Sequence, residues 1–341
     1  MKKKNLLYLC IVAMSTLLAA GCGAAEQDME KPELVRVDDT KYEDNAINVG
    51  FVQTGKESDW RDANTNDFLH TFTVAKGYNL IYIDGNSDPK RQVKAVYDLV
   101  AQNVDYIIMD PIVETGWEDA LQRAKDKNIP VIVADRKVDA DESMYTAWVG
   151  SDFEKEGIRA AQWLKEYIPA DDYKNKKVKI VLLEGTEGAS AALGRTKGLL
   201  SVLDKDTNFE IIARECGNFT QGEGKLAMEK VLNQYDEFDV LIAENDNMMF
   251  GAMLAMDEKN ITYGPDGDIV TISFDALHEA FLKMIDKELQ LTVECNPLLA
   301  GLVENVIQTI ENGGEVKKIN YVDEEIFPYY SAEKKVENRS Y

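Results

Sequence analysis

Between Ile47 and Phe327 short apolar runs alternate with helical patterns, and this alternation restricts the fold more than any other feature of the chain. The runs are Ile47–Val52, Tyr78–Ile83, Asp105–Met109, Pro130–Ala134 and Tyr145–Val149, then Val178–Leu183, Phe209–Ala213, Val240–Ala243, Ile269–Phe274 and Leu291–Glu294. Short runs rich in apolar and β-branched residues read as strands buried on both faces. Helices are expected between them, over 58–76, from Asp88-Pro89 onward, and over 117–128, 152–168, 189–203, 221–233, 248–259, 277–287 and 297–312. Ser58 or Asp59 suits an N-cap, and Pro89 stands at the first helical position behind Asp88. Val93, Val96, Tyr97 and Val100 then form an apolar stripe at helical spacing. A short strand near Ile326-Phe327 precedes a polar tail. Alternating β and α over this length implies an α/β fold with parallel sheets. One open sheet of so many strands would be large, so two doubly wound, Rossmann-like lobes are expected.

In open parallel sheets ligands sit at the carboxyl ends of the strands. The residues that follow each run are therefore the candidate site. Glu57, Trp60 and Arg61 follow the first; Asp110, aimed outward by Pro111, follows the third; Asp135-Arg136 follows the fourth. Later runs are followed by Glu184 to Ser190 with Arg195 in the next helix, by Phe219, by Glu244-Asn245-Asp246, by Asp275, and by Glu294-Cys295-Asn296. A carboxylate accepts hydrogen bonds and a guanidinium donates them in a fixed fork. A sugar hydroxyl both donates and accepts, so such mixed pairs match it. Any one of these polar residues serves equally as a helix N-cap. The whole set, with Trp60 and Phe219 offering rings to the C–H face of a sugar, points to a polyol.

The chain opens with Lys2-Lys3-Lys4, an apolar stretch from Leu6 to Ala20, and Gly21-Cys22. This reads as a secretory leader over 1–21, too short for a confident membrane span. It resembles a bacterial lipobox, which implies lipidation of Cys22, although Ala19 stands where Leu is more usual. Residues 22–45 read as a flexible tether. Cys216 and Cys295 could pair in an oxidising compartment or remain buried thiols. The net charge of −23 argues against nucleic acid. No phosphate-cradling glycine motif and no zinc-ligand spacing occurs, so neither cofactor nor metal is expected. His70 and His278 fall outside the strand-end set, and Asp266-Gly267-Asp268 reads as a turn.

Taken together, Val49-Gly50-Phe51 through Glu57-Ser58-Asp59-Trp60-Arg61, Pro111 to Trp117, Asp135-Arg136, Gly185 to Ser190 with Arg195, Gly217 to Thr220, Glu244-Asn245-Asp246 and Val293-Glu294 make the chain resemble a known family. It is similar over about 46–335 to the type I periplasmic binding proteins of the ribose and galactose class, which feed ABC importers, and most of all to their galactofuranose-binding members. The resemblance implies two lobes joined by three crossovers, near Gly150, Asn296 and Glu325. Lobe one would be 46–149 plus 297–325, and lobe two 150–296 plus 326–341. By the same resemblance Asp135, Arg136, Arg195, Asn245 and Asp275 bind hydroxyls, and Trp60 and Phe219 sandwich the ring. Asp110 stands where ribose-type members often carry Asn, Glu294 where they often carry Gln or Asn, and Arg61 marks the galactofuranose-like members.

Asp110, Asp135, Asp275 and Glu294 nearly balance Arg61, Arg136 and Arg195, which favours a neutral monosaccharide over an anion. The expected protein is a monomeric, lipid-anchored, extracytoplasmic binder that closes on its sugar and presents it to ABC permease subunits. A sugar receptor for a sensor kinase or chemoreceptor is the alternative. A glycoside hydrolase built on Asp135 and Asp275 is disfavoured, because Arg136 beside Asp135 would make a poor general acid. A transcriptional regulator of the same fold is disfavoured too, since a leader stands where its DNA-binding headpiece would be.

Overall fold

The computed structural model describes residues 43–168 and 176–341, together with the backbone of Val35–Arg36. The leader, Cys22 and most of the proposed tether lie outside the described residues. Within the tether, Val35–Arg36 forms a short strand, β1, antiparallel to β3 (Tyr78–Asp84).

Two sheets carry the fold. The first holds β1, β2 (Ile47–Gln53), β3, β4 (Tyr106–Met109), β5 (Val131–Ala134), β6 (Ala147–Gly150) and β12 (Ile319–Tyr321), in the order β1-β3-β2-β4-β5-β6-β12. The second holds β7 (Val178–Glu184), β8 (Phe209–Cys216), β9 (Val240–Ala243), β10 (Val270–Asp275), β11 (Leu291–Glu294) and β13 (Ile326–Pro328), in the order β13-β11-β10-β9-β7-β8. Apart from β1 and β13, which run antiparallel at the edges, every pairing is parallel.

Both faces of each sheet are covered, as parallel sheets require. Alternate residues along β5 show it: Val131 and Val133 enter one apolar cluster, Ile132 and Ala134 the other. In the second sheet Val181 and Leu183 of β7 face one cluster, Ile180 and Leu182 the opposite one. The covering helices are α1 (Asp59–Thr71), α2 (Pro89–Ala101), α3 (Glu118–Asp126) and α9 (Ala300–Glu311) on the first sheet. On the second they are α4 (Phe153–Tyr167), α5 (Ser190–Leu203), α6 (Gln221–Leu232), α7 (Asp246–Glu258), α8 (His278–Ile285) and the short α10 (Ala332–Lys335).

The chain passes between the sheets at three places: from β6 into α4, from β11 into α9, and from β12 into β13. These passages bring the carboxyl ends of the parallel strands of both lobes to one cleft.

Three local features depart from the sequence pattern. The helix expected over 58–76 stops at Thr71, because Phe72 leaves the helix to bury its ring against Tyr78, 5.0 Å between centroids. The strand β12 has no apolar run; its backbone pairs with β6 while Ile319 and Tyr321 stay exposed. The polar tail is anchored rather than loose, since the amide of His278 donates to the carbonyl oxygen of Tyr341 at 2.5 Å.

Glycine decides how closely α4 and α5 approach. A Cβ on Gly157 would stand 2.1 Å from the carbonyl oxygen of Arg195, and one on Gly198 2.1 Å from that of Glu154. With backbones in contact, Glu156 and Arg195 are brought face to face.

Candidate functional site

A cavity of about 20 Å³ lies between the lobes. That is room for about one water molecule, far below the roughly 300–1,000 Å³ typical of small-molecule sites, so side chains fill the space a ligand would need. Glu57, Ser58, Trp60, Arg61, Asp135 and Arg136 line it from the first lobe; Phe153, Ala191, Arg195, Phe219, Asn245 and Asp275 line it from the second; Cys295 lines it from the hinge. Of the residues expected from sequence, nine meet here: Glu57, Trp60, Arg61, Asp135, Arg136, Arg195, Phe219, Asn245 and Asp275.

Asp110 and Glu294 do not line the cavity. Asp110 is fully buried behind it and binds Nη1 of Arg61 through Oδ2, while its Oδ1 has no partner. Glu294 turns toward the tail. It accepts from Arg339 Nη1 at 2.7 Å, from the Tyr341 hydroxyl at 2.9 Å and from the Glu325 amide at 2.9 Å. The tail carried no pattern that could have announced this, because its anchor residues are polar and far away in sequence.

Each guanidinium is held by acids. Arg61 donates through Nε and Nη2 to Glu57 at 3.3 and 3.1 Å and through Nη2 to Asp135 at 2.7 Å, besides the Asp110 bond. Arg136 donates through Nη2 to Glu57 and through Nη1 to the Ile112 carbonyl at 3.4 Å; its buried Nε has no partner. Arg195 donates from Nε to Glu156 at 2.7 Å, from Nη1 to the Glu244 carbonyl, and from Nη2 to Asp275 at 3.2 Å.

Burial and pairing compete at every acid here. Burial opposes ionisation of Glu57, but Arg136 and Arg61 prevail and hold its carboxyl below the usual range. For Asp110, Asp275 and Glu156 burial wins despite the neighbouring arginines, and their carboxyls are pushed up. Burial also weighs against charge on Arg61 and Arg195, yet the carboxylates around them keep both guanidinia charged.

The aromatic residues sit as the pattern suggests but are already engaged. Trp60 donates Nε1–H to the Cys295 carbonyl at 2.6 Å, and Arg61 lies over its ring at 4.6 Å. Arg136 lies 4.9 Å from the Phe219 ring centre. Gly185 backs that ring, since a Cβ there would meet it at 1.9 Å. Asn245 combines two roles: it caps α7, accepting from the Met248 amide at 2.9 Å, and it donates to the Phe219 carbonyl at 2.9 Å. Asp246 serves as a buried fastener for Ser273, Thr292 and the Leu277 amide.

The backbone is strained where these side chains gather. Asp135, Phe219 and Asp275 have φ of 54°, 60° and 105°, a region that L residues occupy at a cost of about 1–3 kcal/mol. The two lobes also touch across the cleft. Asp59 and Asn247 exchange bonds at 3.2 and 2.7 Å, the Lys137 amide donates to Ser190 at 2.8 Å, and the Glu114 amide donates to the Gly188 carbonyl at 3.0 Å. The cleft is therefore closed.

Sequence reasoning missed Phe153, Glu156 and Gln92 as contributors, and placed Cys295 in the strand-end set without giving it a role. Gln92 is buried in α2 and donates to the Asp110 carbonyl at 2.6 Å while accepting from the Ile112 amide at 2.9 Å. Phe153, Glu156 and Gln92 sit inside helices, where no strand-end signal marks them. Cys216 and Cys295 are both free thiols, the first exposed and the second buried.

Glu244 supplies a pH dependence. Burial, outweighing hydrogen bonds from the Gly185 amide and Thr196, pushes its carboxyl up to about 8 from an ordinary 4.5. The folded chain then holds a proton that the unfolded chain has lost. This contribution is fully present below about pH 4.5 and disappears as pH rises through about 8. Glu244→Gln still accepts from the Gly185 amide, donates to Thr196 Oγ1 instead of accepting from it, and cannot ionise. It is expected to be more stable than the parent at about pH 9, by on the order of 1 kcal/mol or more, and to differ little near pH 4.5. Thermal melts at both pH values check this; equal melting temperatures of the two proteins at the higher pH would contradict it.

Residues 49–301 match the model of the periplasmic binding protein domain. The galactofuranose-binding protein YtfQ of Escherichia coli K12 is 36% identical over 272 residues, covering 79% of this chain and 83% of that protein. A Mycobacterium smegmatis protein solved in complex with β-D-fucofuranose superposes with a TM-score of 0.81 at 36% identity, covering 86% of this chain and 95% of the other. The binding component of the arabinose ABC transporter from Shewanella sp. ANA-3, bound to α- and β-L-arabinofuranose, superposes with a TM-score of 0.80 at 32% identity, covering 86% and 95%. The chain thus belongs to the periplasmic binding protein family and has the two-lobed type I fold of its sugar-binding members.

Proposed function

We propose that this protein captures a neutral monosaccharide, preferentially in its furanose form, and delivers it to an ABC importer. The observation that carries the proposal is the state of the three guanidinia. Arg61, Arg136 and Arg195 are each already held by acids inside a closed cleft. A phosphate or carboxylate ligand would add negative charge to a buried site with no guanidinium to spare. Hydroxyls suit it: Arg136 Nε makes no hydrogen bond, its nearest acid oxygen being Asp135 Oδ2 at 4.0 Å, and the carboxyls of Asp135 and Asp275 accept. Trp60 and Phe219 supply apolar faces for the C–H side of a ring. The furanose preference rests on the relatives, whose names or bound sugars are galactofuranose, fucofuranose and arabinofuranose. Nothing in the site calls for catalysis, and the protein acts as a binder whose lobes close over cargo.

The leader and Cys22 complete the proposal: an extracytoplasmic protein, monomeric, held at the membrane by lipid on Cys22. Partition into detergent that survives Cys22→Ala would refute the anchor.

The cargo is tested by thermal-shift and calorimetric titration with galactofuranose-containing sugars, arabinose, galactose, glucose, ribose and xylose, with a sugar phosphate as charge control. One neutral sugar is expected to raise the melting temperature, and Arg136→Ala and Asp275→Ala to weaken it at least 100-fold. For micromolar affinity at millimolar ligand the stabilisation is about 4 kcal/mol. A response to the phosphate alone would overturn the charge argument and with it the proposed cargo.

A further inference from the structure

The three passages between the lobes meet in a cluster that adjoins the sugar cavity at Cys295. Ser151 lies on the first passage, Cys295 and Asn296 on the second, and Glu324 on the third, with Glu156 reaching in from the first turn of α4. Ser151 Oγ lies 3.3 Å from Cys295 Sγ and donates to Glu324 Oε1 at 2.5 Å, and the Asn296 amide donates to the same oxygen at 3.0 Å. Among the described residues, Glu156, Cys295 and Glu324 bring one ligand atom each to within 4.8 Å of one another. Glu156 Oε2 is taken by Arg195, but Oε1 is fully buried and has no partner.

We propose that Glu156, Cys295 and Glu324 form a hinge site for a zinc-class divalent cation. The donor set selects the class. A thiolate beside two carboxylates suits zinc, whereas calcium and magnesium want six or more oxygens or retained water. Zinc bonds of about 2.0–2.3 Å place ligand atoms roughly 3.5 Å apart, so the three atoms draw in by about 1 Å to close on an ion. Ser151 Oγ stands beside the thiol as a fourth donor atom.

Charge supports the site. Among the described residues Arg195 bonds the Glu156 carboxyl and Arg159 reaches only the Glu324 main-chain carbonyl, at 3.0 Å, against two carboxyls and a thiol. Burial pushes the Glu156 carboxyl and the Cys295 thiol up, and pushes Glu324 up to about 9. Binding a cation at a thiol and carboxyls releases whatever protons they hold to solvent. Because the ligands come from positions 156, 295 and 324, no spacing motif could reveal them. A bound ion would tie all three passages together.

Cobalt(II) titration of the full chain tests the proposal, because cobalt bound by a thiolate gains a near-ultraviolet charge-transfer band. The expected result is one equivalent with that band, displaced by zinc, and tighter at about pH 8 than at pH 6. Cys295→Ser should lose the band and Cys216→Ser should keep it. Glu324→Gln, whose side chain lies outside the sugar cavity, should weaken cobalt binding at least tenfold. No band at millimolar cobalt, a band that survives Cys295→Ser, or a band lost in Cys216→Ser would overturn it. These readouts contain no sugar, so their failure leaves the cargo proposal standing, and failure of the cargo screen leaves this one standing.

Discussion

Arg61→Met lowers the stability of the folded chain by about 3–5 kcal/mol, the range found when one partner of a buried ion pair is removed. The guanidinium is 1% exposed and satisfies Glu57, Asp110 and Asp135 together. Methionine fills much the same volume and donates nothing. Three carboxyls then face one another with only Arg136 nearby, and Asp110, already lacking a partner on Oδ1, loses the one on Oδ2. Urea unfolding measures the effect as a fall in midpoint with an unchanged slope. The loss should shrink near pH 4, where the stranded carboxyls take up protons in both states. Arg61→Lys keeps the charge but not the fork, and should fall between parent and methionine variant. A loss below about 1 kcal/mol at neutral pH would mean that the three acids do not depend on Arg61.

Arg195→Met has a comparable expected effect in the second lobe, again about 3–5 kcal/mol. All three of its donor nitrogens are used, by Glu156, the Glu244 carbonyl and Asp275. Removing it strands two buried carboxyls, and burial already pushes both up. Replacing both members of a buried pair by apolar residues is often neutral. The double variant Arg195→Met with Glu156→Leu should therefore be more stable than Arg195→Met alone. A double-mutant cycle reads this directly. If the double variant is no better than the single one, the Arg195–Glu156 contact is not the source of the loss. Both variants should also lose sugar affinity, since Arg195 lines the cavity.

Much of the site was legible because the physics that marks it is local. A buried strand must end, and in a parallel sheet its end faces the ligand cleft. Asp135-Arg136 after Val131–Ala134 and Asp275 at the end of β10 are found by that rule and do line the cavity. The same rule also selected Asp110 and Glu294, which stand at strand ends and yet turn elsewhere. A strand end determines where a residue starts, not which way its side chain leaves. Asp110 is drawn behind the cavity by Arg61, and Glu294 by Arg339 and Tyr341, partners 45 and 47 residues away for Glu294 and 49 for Asp110.

Alternating apolar runs and amphipathic helices were enough for the fold class, since burial on both faces of a strand leaves an unbroken apolar run and a covering helix leaves a stripe. The break at Phe72 turns on Tyr78, six residues on and past the helical repeat, whereas the edge strand β12 and the anchored tail each depend on a partner distant in sequence. So do the pairing of the arginines and the meeting of Glu156, Cys295 and Glu324 at the hinge. Secondary structure follows from hydrophobic periodicity over a few residues, and the chain carries that information locally. Which charge neutralises which is settled only when both lobes close and water is excluded, because at low dielectric the nearest partner in space, not in sequence, controls the energy.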